Sequence, residues 1–292
     1  MKVLILGGNG MLGHKLVQQI SPQFDVWTTV RQPFETFRRF GIFTEEKTLD
    51  RINVDDPSIL EGVISKLRPD VVINAIGVIK QLPSSRDVIT TLTANSILPH
   101  RLSELTRRFD FRLICVSTDC VFSGDKGMYT EADRSDASDL YGRSKSLGEV
   151  ADDNCITVRT SIIGRELAST HSMVEWFLSN RGGKVNGYAN AIYSGFPTVV
   201  FADIIANLLN EHPDLYGVYH VSSEPINKFE LLGMIDKAYG SKIQIDRFED
   251  FAIDRSLDSS RYREATGFRP PDWHEMVERM AADATPYDAF RK

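Results

Sequence analysis

Met1-Lys2-Val3-Leu4-Ile5-Leu6-Gly7-Gly8-Asn9-Gly10-Met11-Leu12-Gly13 is the stretch that decides the fold. Val3 to Leu6 is a short continuous apolar run, the pattern of a strand buried on both faces of a parallel sheet. Leu12, Leu16 and Ile20 then recur at helical spacing. Strand, glycine turn and helix in succession can hold the pyrophosphate of a dinucleotide. The glycines let the backbone approach it, and the helix N-terminus offers unbonded N–H groups and a partial positive charge. The glycines fit two spacings. Gly8, Gly10 and Gly13 read as G-x-G-x-x-G, and Gly7, Gly10 and Gly13 as G-x-x-G-x-x-G. Spacing does not choose between them, and a plain tight turn with no ligand is the alternative to both.

Outward from this point the alternation continues. Asp25 to Val30 reads as a second strand, followed by Arg31. A site that prefers NAD usually carries an acidic residue here, for the ribose 2′-hydroxyl. Arg31 instead suits the 2′-phosphate of NADP, with Arg38 and Arg39 near enough in sequence to share the task; a solvated surface arginine is the plain alternative. Residues 51–57 read as a short strand turning into a helix over 57–67, with Pro57 in its first turn. Asp70 to Gly77 is another buried strand, whose carboxyl end would face a cofactor. A long helix is expected from about 86 to 109, with Asn95 inside it. Phe111 to Val116 and Asn154 to Val158 are further strands. At least six β/α units precede residue 160, which predicts an α/β chain with a Rossmann-type doubly wound parallel sheet.

Beyond residue 160 the alternation loosens. Gly182-Gly183 and Gly187 mark turns, and Tyr193 to Thr198 is a loop before a helix at about 199–210. Leu215 to Val221 reads as a late strand, and helices follow at about 228–239 and from Trp273 to Ala282. The expected division is an NADP-binding Rossmann domain at 1–160 plus roughly 198–222. A smaller C-terminal, substrate-binding portion takes roughly 161–197 and 223–292.

The chemistry is carried by Leu140-Tyr141-Gly142-Arg143-Ser144-Lys145-Ser146-Leu147-Gly148-Glu149. On a helix, Tyr141 and Lys145 share one face. An ammonium beside a phenol favours phenolate and draws the phenol pKa down toward working pH. Such a tyrosine can give a proton to a carbonyl oxygen while hydride reaches the carbon. Alone, the pair is an ordinary surface Tyr–Lys pair. It gains meaning from Ser117-Thr118-Asp119, hydroxyls placed where a strand ends on the cofactor side of the sheet. Alone, that triplet too is an ordinary turn or helix cap.

Composition sets outer limits. The chain has 292 residues, 42% hydrophobic and 25% charged, enough for a sizeable core, and a net charge of −6 with no basic block, which argues against nucleic acid. The cysteines Cys115, Cys120 and Cys155 lack metal-ligand spacing, so no metal is expected, and their odd number suits a reducing cytoplasm. The N-terminal apolar run is too short for a signal peptide or a membrane span.

Together, Gly7-x-x-Gly10-x-x-Gly13, Ser117-Thr118-Asp119 and Tyr141-x-x-x-Lys145 resemble an extended short-chain dehydrogenase/reductase, and most closely the dTDP-4-dehydrorhamnose reductase family. Residues 117–124 resemble that family's S-T-D-Y-V-F-D-G, residues 141–149 its Y-G-R-T-K-x-x-G-E, and residues 158–161 its V-R-T-S. Pro197-Thr198, Leu257-Asp258 and Pro271-Asp272-Trp273 match later pieces. The resemblance implies NADPH-dependent reduction, with NADH as a second cofactor, of the C4 keto group of a nucleotide-linked 6-deoxy-keto-sugar for deoxysugar and cell-surface polysaccharide biosynthesis. Carried over, Tyr141 is the proton donor, Lys145 holds the nicotinamide ribose, and Thr118 bonds the substrate oxygen with Asp119 beside it. Gly7, Gly10, Met11 and Leu12 would line the pyrophosphate. Arg31 would take the 2′-phosphate, Asn53 and Val54 would lie near adenine, and Ala75 and Ile76 would border the cofactor. Ile162, Tyr193 and Arg255 would face substrate. His171, Trp176 and Tyr188 are further pocket candidates, each with a plain structural role as the alternative. A homodimer is compatible with this reading.

Three departures bear on the substrate. Ile162 stands where the family often has Trp, Cys120 where it often has Tyr, and Ala75-Ile76-Gly77-Val78 differs from A-A-A-Y/W. Related dehydratases carry Thr-Asp-Glu; Cys120 in the third position removes the paired carboxylates that water loss needs. An epimerase with tightly held NAD, and a non-catalytic NADP-binding regulatory subunit like that of methionine adenosyltransferase, are the remaining alternatives.

Overall fold

The computed structural model describes residues 1–291. The first half of the chain runs β1 (Lys2–Leu6), α1 (Met11–Ile20), β2 (Asp25–Thr29), α2 (Glu35–Arg38), β3 (Thr48–Leu49), α3 (Pro57–Leu67), β4 (Val71–Asn74), α4 (Val88–Leu92), α5 (Leu98–Phe109), β5 (Arg112–Thr118), α6 (Leu140–Leu147) and β6 (Cys155–Thr160). The second half runs β7 (Ile162–Ile163), α7 (Met173–Leu178), β8 (Lys184–Tyr193), β9 (Phe196–Pro197), α8 (Thr198–Glu211), β10 (Gly217–His220), β11 (Ile226–Asn227), α9 (Lys228–Tyr239), β12 (Gln244–Asp254), α10 (Ser260–Thr266) and α11 (Trp273–Ala281).

Seven parallel strands form the central sheet in the order β10-β6-β5-β4-β1-β2-β3. The chain winds outward from β1 to β3, then returns to β4 on the other side of β1. The crevice between the carboxyl ends of β1 and β4 is therefore the place where open α/β sheets bind ligands. Strand β1 shows why its apolar run is continuous. Val3 and Ile5 join the core beneath α1 and α8, whereas Leu4 and Leu6 join the core beneath α3 and α5. Period-two side chains on a strand covered on both faces leave no polar position.

Several boundaries differ from the sequence reading. The strand expected within 51–57 lies earlier, at Thr48–Leu49; residues 51–56 form a turn held to β2 by the Ile52 N–H on the Val30 carbonyl. Helix α3 starts at Pro57 as expected, capped by the Asp56 side chain. The expected long helix is α4 and α5 joined by one wide π turn, Thr93–Ile97. Pro99 has no N–H for the Asn95 carbonyl, which frees that carbonyl and loosens the turn. Gly187 sits inside β8, not at a turn. It belongs to the buried row of that strand, where a Cβ would meet Phe229 and Ile245 below 3 Å.

The smaller part of the molecule holds the sheet β11-β8-β12 and the two-stranded β7–β9. Phe177 on α7 is wholly buried, while Trp176 exposes 43% of its surface. Among the described residues no helix is long and apolar enough to cross a membrane.

The C-terminal segment folds back on α1. The His14 imidazole, wholly buried, lies 2.8 Å from the Gly10 carbonyl through Nδ1 and 2.9 Å from the Tyr287 hydroxyl through Nε2. Burial lowers its pKa from 6.5 to about 4. The unfolded chain therefore binds a proton below about pH 6.5 that the folded chain refuses, so this contribution is present above that pH and is lost as pH falls toward 4. Urea denaturation at pH 7 and pH 5 should show His14 contributing a loss of about 2 kcal/mol on acidification. The His14→Gln variant should lack that component; an identical pH slope in the variant would contradict the assignment.

Candidate active site

The turn after β1 makes separate demands on its glycines. Gly7 has φ +81°, a left-handed conformation. A Cβ on Gly8 would lie 1.9 Å from Thr28 Oγ1, and one on Gly13 would lie 2.1 Å from the Gly7 carbonyl oxygen. Gly7, Gly8 and Gly13 are thus each required by the protein's own backbone and packing. Gly10 differs: a Cβ there would meet only the Gly7 carbonyl oxygen, at 3.3 Å. A Cβ there asks the Gly7 carbonyl to give by only a few tenths of an ångström, far less than at Gly8 or Gly13, and the open face beside it is the cradle a pyrophosphate would fill. The His14 N–H is bonded to the Gly10 carbonyl, so the Met11 and Leu12 amides before it lack helical partners. No side chain caps α1 and no acidic residue occupies its first turn. These features fit a dinucleotide anion at this point.

Other residues of the expected cofactor site gather nearby. Ile76, just past β4, packs on Gly7, where a Cβ would come within 2.8 Å of it, and Ala75 lies beside it. Asn53 and Val54 lie within the turn tied to the end of β2, with Val54 packed against the same core as Ile76. Arg31 is exposed at the end of β2, and none of the ion pairs among the described residues includes it. Arg38, expected to share its role, is held by Glu35 and Glu45, and Arg39 lies over the Phe40 ring at 4.8 Å.

Thr118 ends β5, and its hydroxyl does two things. It donates to Asp119 at 3.0 Å and accepts the Cys120 N–H at 3.1 Å, capping the short 3-10 turn Asp119–Val121. Helix α6 docks against this turn at Gly142, where a Cβ would lie 2.2 Å from the Cys120 carbonyl oxygen. Tyr141 is thereby brought beside Thr118, Asp119 and Cys120. One turn on, the Lys145 ammonium donates to the Val116 carbonyl at 2.8 Å. Burial, with Cys120 and Asp119 nearby, pushes the Tyr141 pKa well above its ordinary value, and the Thr118 hydroxyl opposes this only in part. The expected lowering by Lys145 is therefore not what this arrangement produces: the ammonium is engaged by a backbone carbonyl and desolvation governs the phenol. Burial also lowers the Lys145 pKa.

Of the substrate-side candidates, Tyr193 and Arg255 join this group. Tyr193 is buried, feels the Asp119 charge, packs on Trp273 at 5.5 Å between ring centroids, and its hydroxyl has no hydrogen-bond partner. Arg255 donates to the Phe122 carbonyl at 2.9 Å and reaches Cys120 Sγ at 3.6 Å. Ile162 lies in β7, beside Phe196 of β9. His171, Trp176 and Tyr188 have other surroundings: His171 is exposed near Glu166, Trp176 is on α7, and Tyr188 meets Phe248 and Phe251 edge-on.

Sequence reasoning missed three residues here. Lys80 pairs with Asp139 at 2.9 Å and lies 5.6 Å above the Tyr141 ring. Asp139 caps α6 through the Gly142 N–H at 3.1 Å; an Asp three residues before a helical glycine was a readable capping signal. Asn95, in the π turn, holds the Val78 N–H and carbonyl and also donates to Ser144 of α6. Lys80 has no such signal, since only the folded loop places it over the ring.

A Rossmann-type sheet, an uncapped glycine turn at its switch point and a Thr/Tyr/Lys group at its carboxyl edge define the extended short-chain dehydrogenase/reductase class. The chain belongs to the family described as RmlD substrate binding domain, whose profile matches residues 1–285. It is 24% identical over 307 residues to the dTDP-4-dehydrorhamnose reductase of Aggregatibacter actinomycetemcomitans, covering 97% of this chain and 99% of the relative. It is 25% identical over 254 residues to methionine adenosyltransferase 2 subunit beta of Mus musculus, covering 82% and 72%. Among solved structures, dTDP-4-dehydrorhamnose reductase from Bacillus anthracis in complex with NADP superposes with a TM-score of 0.80 at 23% identity, covering 97% and 99%.

The glycine geometry separates packing from binding. Gly13→Ala should destabilise the fold by about 2 kcal/mol, as overpacking against backbone does. Gly10→Ala should lose far less melting temperature than Gly13→Ala while losing NADPH affinity in fluorescence titration; equal destabilisation by both would remove the cradle argument.

Proposed function

We propose that this chain reduces the keto group, at C4, of a 6-deoxy-keto-sugar linked to a nucleoside diphosphate, using NADPH and accepting NADH. The observation that carries this reading is the meeting of Thr118, Tyr141 and Lys145 at the carboxyl edge of the sheet, the edge that also carries the glycine turn. The cofactor, when bound, supplies hydride to the keto carbon. The chain's residues handle the oxygen and the proton. Thr118 turns its hydroxyl from Asp119 to the keto oxygen, and Tyr141 gives that oxygen its phenolic proton. Burial keeps the phenol protonated at neutral pH, the form a donor needs. Lys145 holds the nicotinamide ribose beside it.

The roles of the remaining residues follow the same reading. Gly7, Gly10, Met11 and Leu12 receive the pyrophosphate, Arg31 the 2′-phosphate, Asn53 and Val54 the adenine end, and Ala75 and Ile76 the cofactor's flank. Asp119, Ile162, Tyr193 and Arg255 face the sugar nucleotide. Residues 1–160 with roughly 198–222 serve as the cofactor unit, and roughly 161–197 with 223–292 as the substrate unit. The relatives named for dTDP-4-dehydrorhamnose reduction support the substrate class, and the relative bound to NADP supports the cofactor.

NADPH oxidation with a panel of nucleotide-linked 4-keto-6-deoxy sugars tests the reading. Consumption is expected with at least one of them; tight NADPH binding with no consumption across the panel would favour the binding-subunit reading that the mouse relative suggests. Tyr141→Phe should lower kcat by about 100- to 10,000-fold, the span for losing a general acid, with NADPH affinity nearly unchanged. Arg31→Ala should weaken NADPH binding about tenfold, as loss of a charge-assisted bond does, and leave NADH binding alone. Equal weakening of both cofactors would withdraw the 2′-phosphate role.

A further inference from the structure

The peptide unit between Gly10 and Met11 carries two groups that point opposite ways. Among the described residues no peptide bond is cis, so its C=O and N–H lie anti across a flat unit. The Gly10 carbonyl faces into α1, where it accepts the His14 N–H at 3.1 Å. The Met11 N–H therefore faces out of the helix, on the uncapped side that suits a pyrophosphate. Whatever fixes the Gly10 carbonyl also aims the Met11 amide. The unit needs fixing, because Gly10 has no Cβ to restrict its rotation and the helix backbone supplies one bond to hold it.

A second bond comes from the His14 side chain, whose Nδ1 lies 2.8 Å from the same carbonyl. A carbonyl only accepts, so Nδ1 carries the proton and Nε2 is the acceptor of the neutral ring. Nε2 lies 2.9 Å from the Tyr287 hydroxyl, which also lies 2.9 Å from an Asp283 oxygen. The Asp283 carboxylate already receives the Lys15 ammonium, the Thr285 hydroxyl at 2.9 Å and the Thr285 N–H at 3.1 Å. The phenolic proton is therefore better placed on Nε2. His14 and Tyr287 are both buried and their rings meet edge-on, so water does not compete for either bond. A carbonyl of the glycine turn is thus tied, through one imidazole, to the C-terminal segment.

We propose that His14 is a positioning residue for the cofactor: by holding the Gly10 carbonyl from inside the fold it aims the Met11 amide at the pyrophosphate, and Tyr287 keeps the imidazole in the tautomer and orientation this needs. His14 touches neither cofactor nor substrate. This role rests on the dinucleotide reading of the glycine turn and is independent of the sugar reaction.

The test compares two substitutions of opposite character in the full chain, by calorimetric titration with NADPH and by thermal melting. His14→Leu fills most of the volume but has no donor. His14→Asn is smaller but places its amide nitrogen one bond from Cγ, where Nδ1 stands. NADPH affinity should fall about tenfold in His14→Leu, as when one amide–anion hydrogen bond is lost, and return close to the natural value in His14→Asn. Tyr287→Phe should lie between. Melting temperature should run the other way, since Asn leaves the larger cavity. In chain labelled with 15N-methionine, the Met11 amide resonance, assigned with Met11→Leu, should shift on NADPH addition in the natural sequence and in His14→Asn, and move far less in His14→Leu. Unchanged affinity in His14→Leu, or affinity that follows melting temperature across the two variants, would overturn the proposal. Should His14→Leu fail to fold, Tyr287→Phe carries the test: weaker NADPH binding is expected, and natural affinity would overturn the proposal. The predicted affinity pattern in a chain that oxidises NADPH with no keto sugar would instead leave His14 its role and refute the reductase reading alone.

Discussion

The bond from the Lys145 ammonium to the Val116 carbonyl joins helix α6 to strand β5, and the site depends on that joint. A charged donor on a backbone carbonyl contributes about 1.5–3 kcal/mol and, more importantly, a fixed direction. Tyr141 lies one helical turn away, so its place beside Thr118 follows from helix geometry once Lys145 is anchored. Glycines at both ends of the helix allow the close approach: Gly142 against the Cys120 carbonyl and Gly148 against the Asn95 carbonyl. Asn95 completes the arrangement by holding Val78 and Ser144 together.

Burial sets the electrostatic character of the region. It raises the Tyr141 phenol, lowers the Lys145 ammonium and keeps the Cys115 and Cys120 thiols protonated, Cys120 at about 11. A group that gives up a proton benefits from the first of these. At the other end of the same crevice the logic is reversed: the amides at the start of α1 are left without a cap, as suits a site for an anion.

Much of this was legible in the chain. Val3–Leu6, the glycine turn and the period of Leu12, Leu16 and Ile20 specify one local structure at every level, so the sheet and its switch point could be read directly. The Tyr141/Lys145 face was legible because four residues on a helix fix a direction. Other features had no local signal. Strand β3 is two residues long, held by its neighbour β2 and not by its own pattern. Strand β8 was broken in the reading at Gly187, a glycine present because α9 packs too closely for a side chain. The phenol's raised pKa was misjudged because helical spacing gives proximity but says nothing of desolvation, or of the carbonyl that engages Lys145. Lys80 over Tyr141 and Ser117 against Glu149 are long-range placements, visible only once the strands are aligned.

Direct transfer of hydride to the sugar is the central claim, and isotope transfer tests it most simply. NADPH carrying deuterium at the reactive nicotinamide position would be incubated with the chain and a nucleotide-linked 4-keto-6-deoxy sugar, and the product analysed by NMR and mass spectrometry. The account predicts one deuterium, bonded to C4 of the reduced sugar in a single configuration. Reduced sugar without deuterium at C4, or deuterium at another carbon, would contradict it.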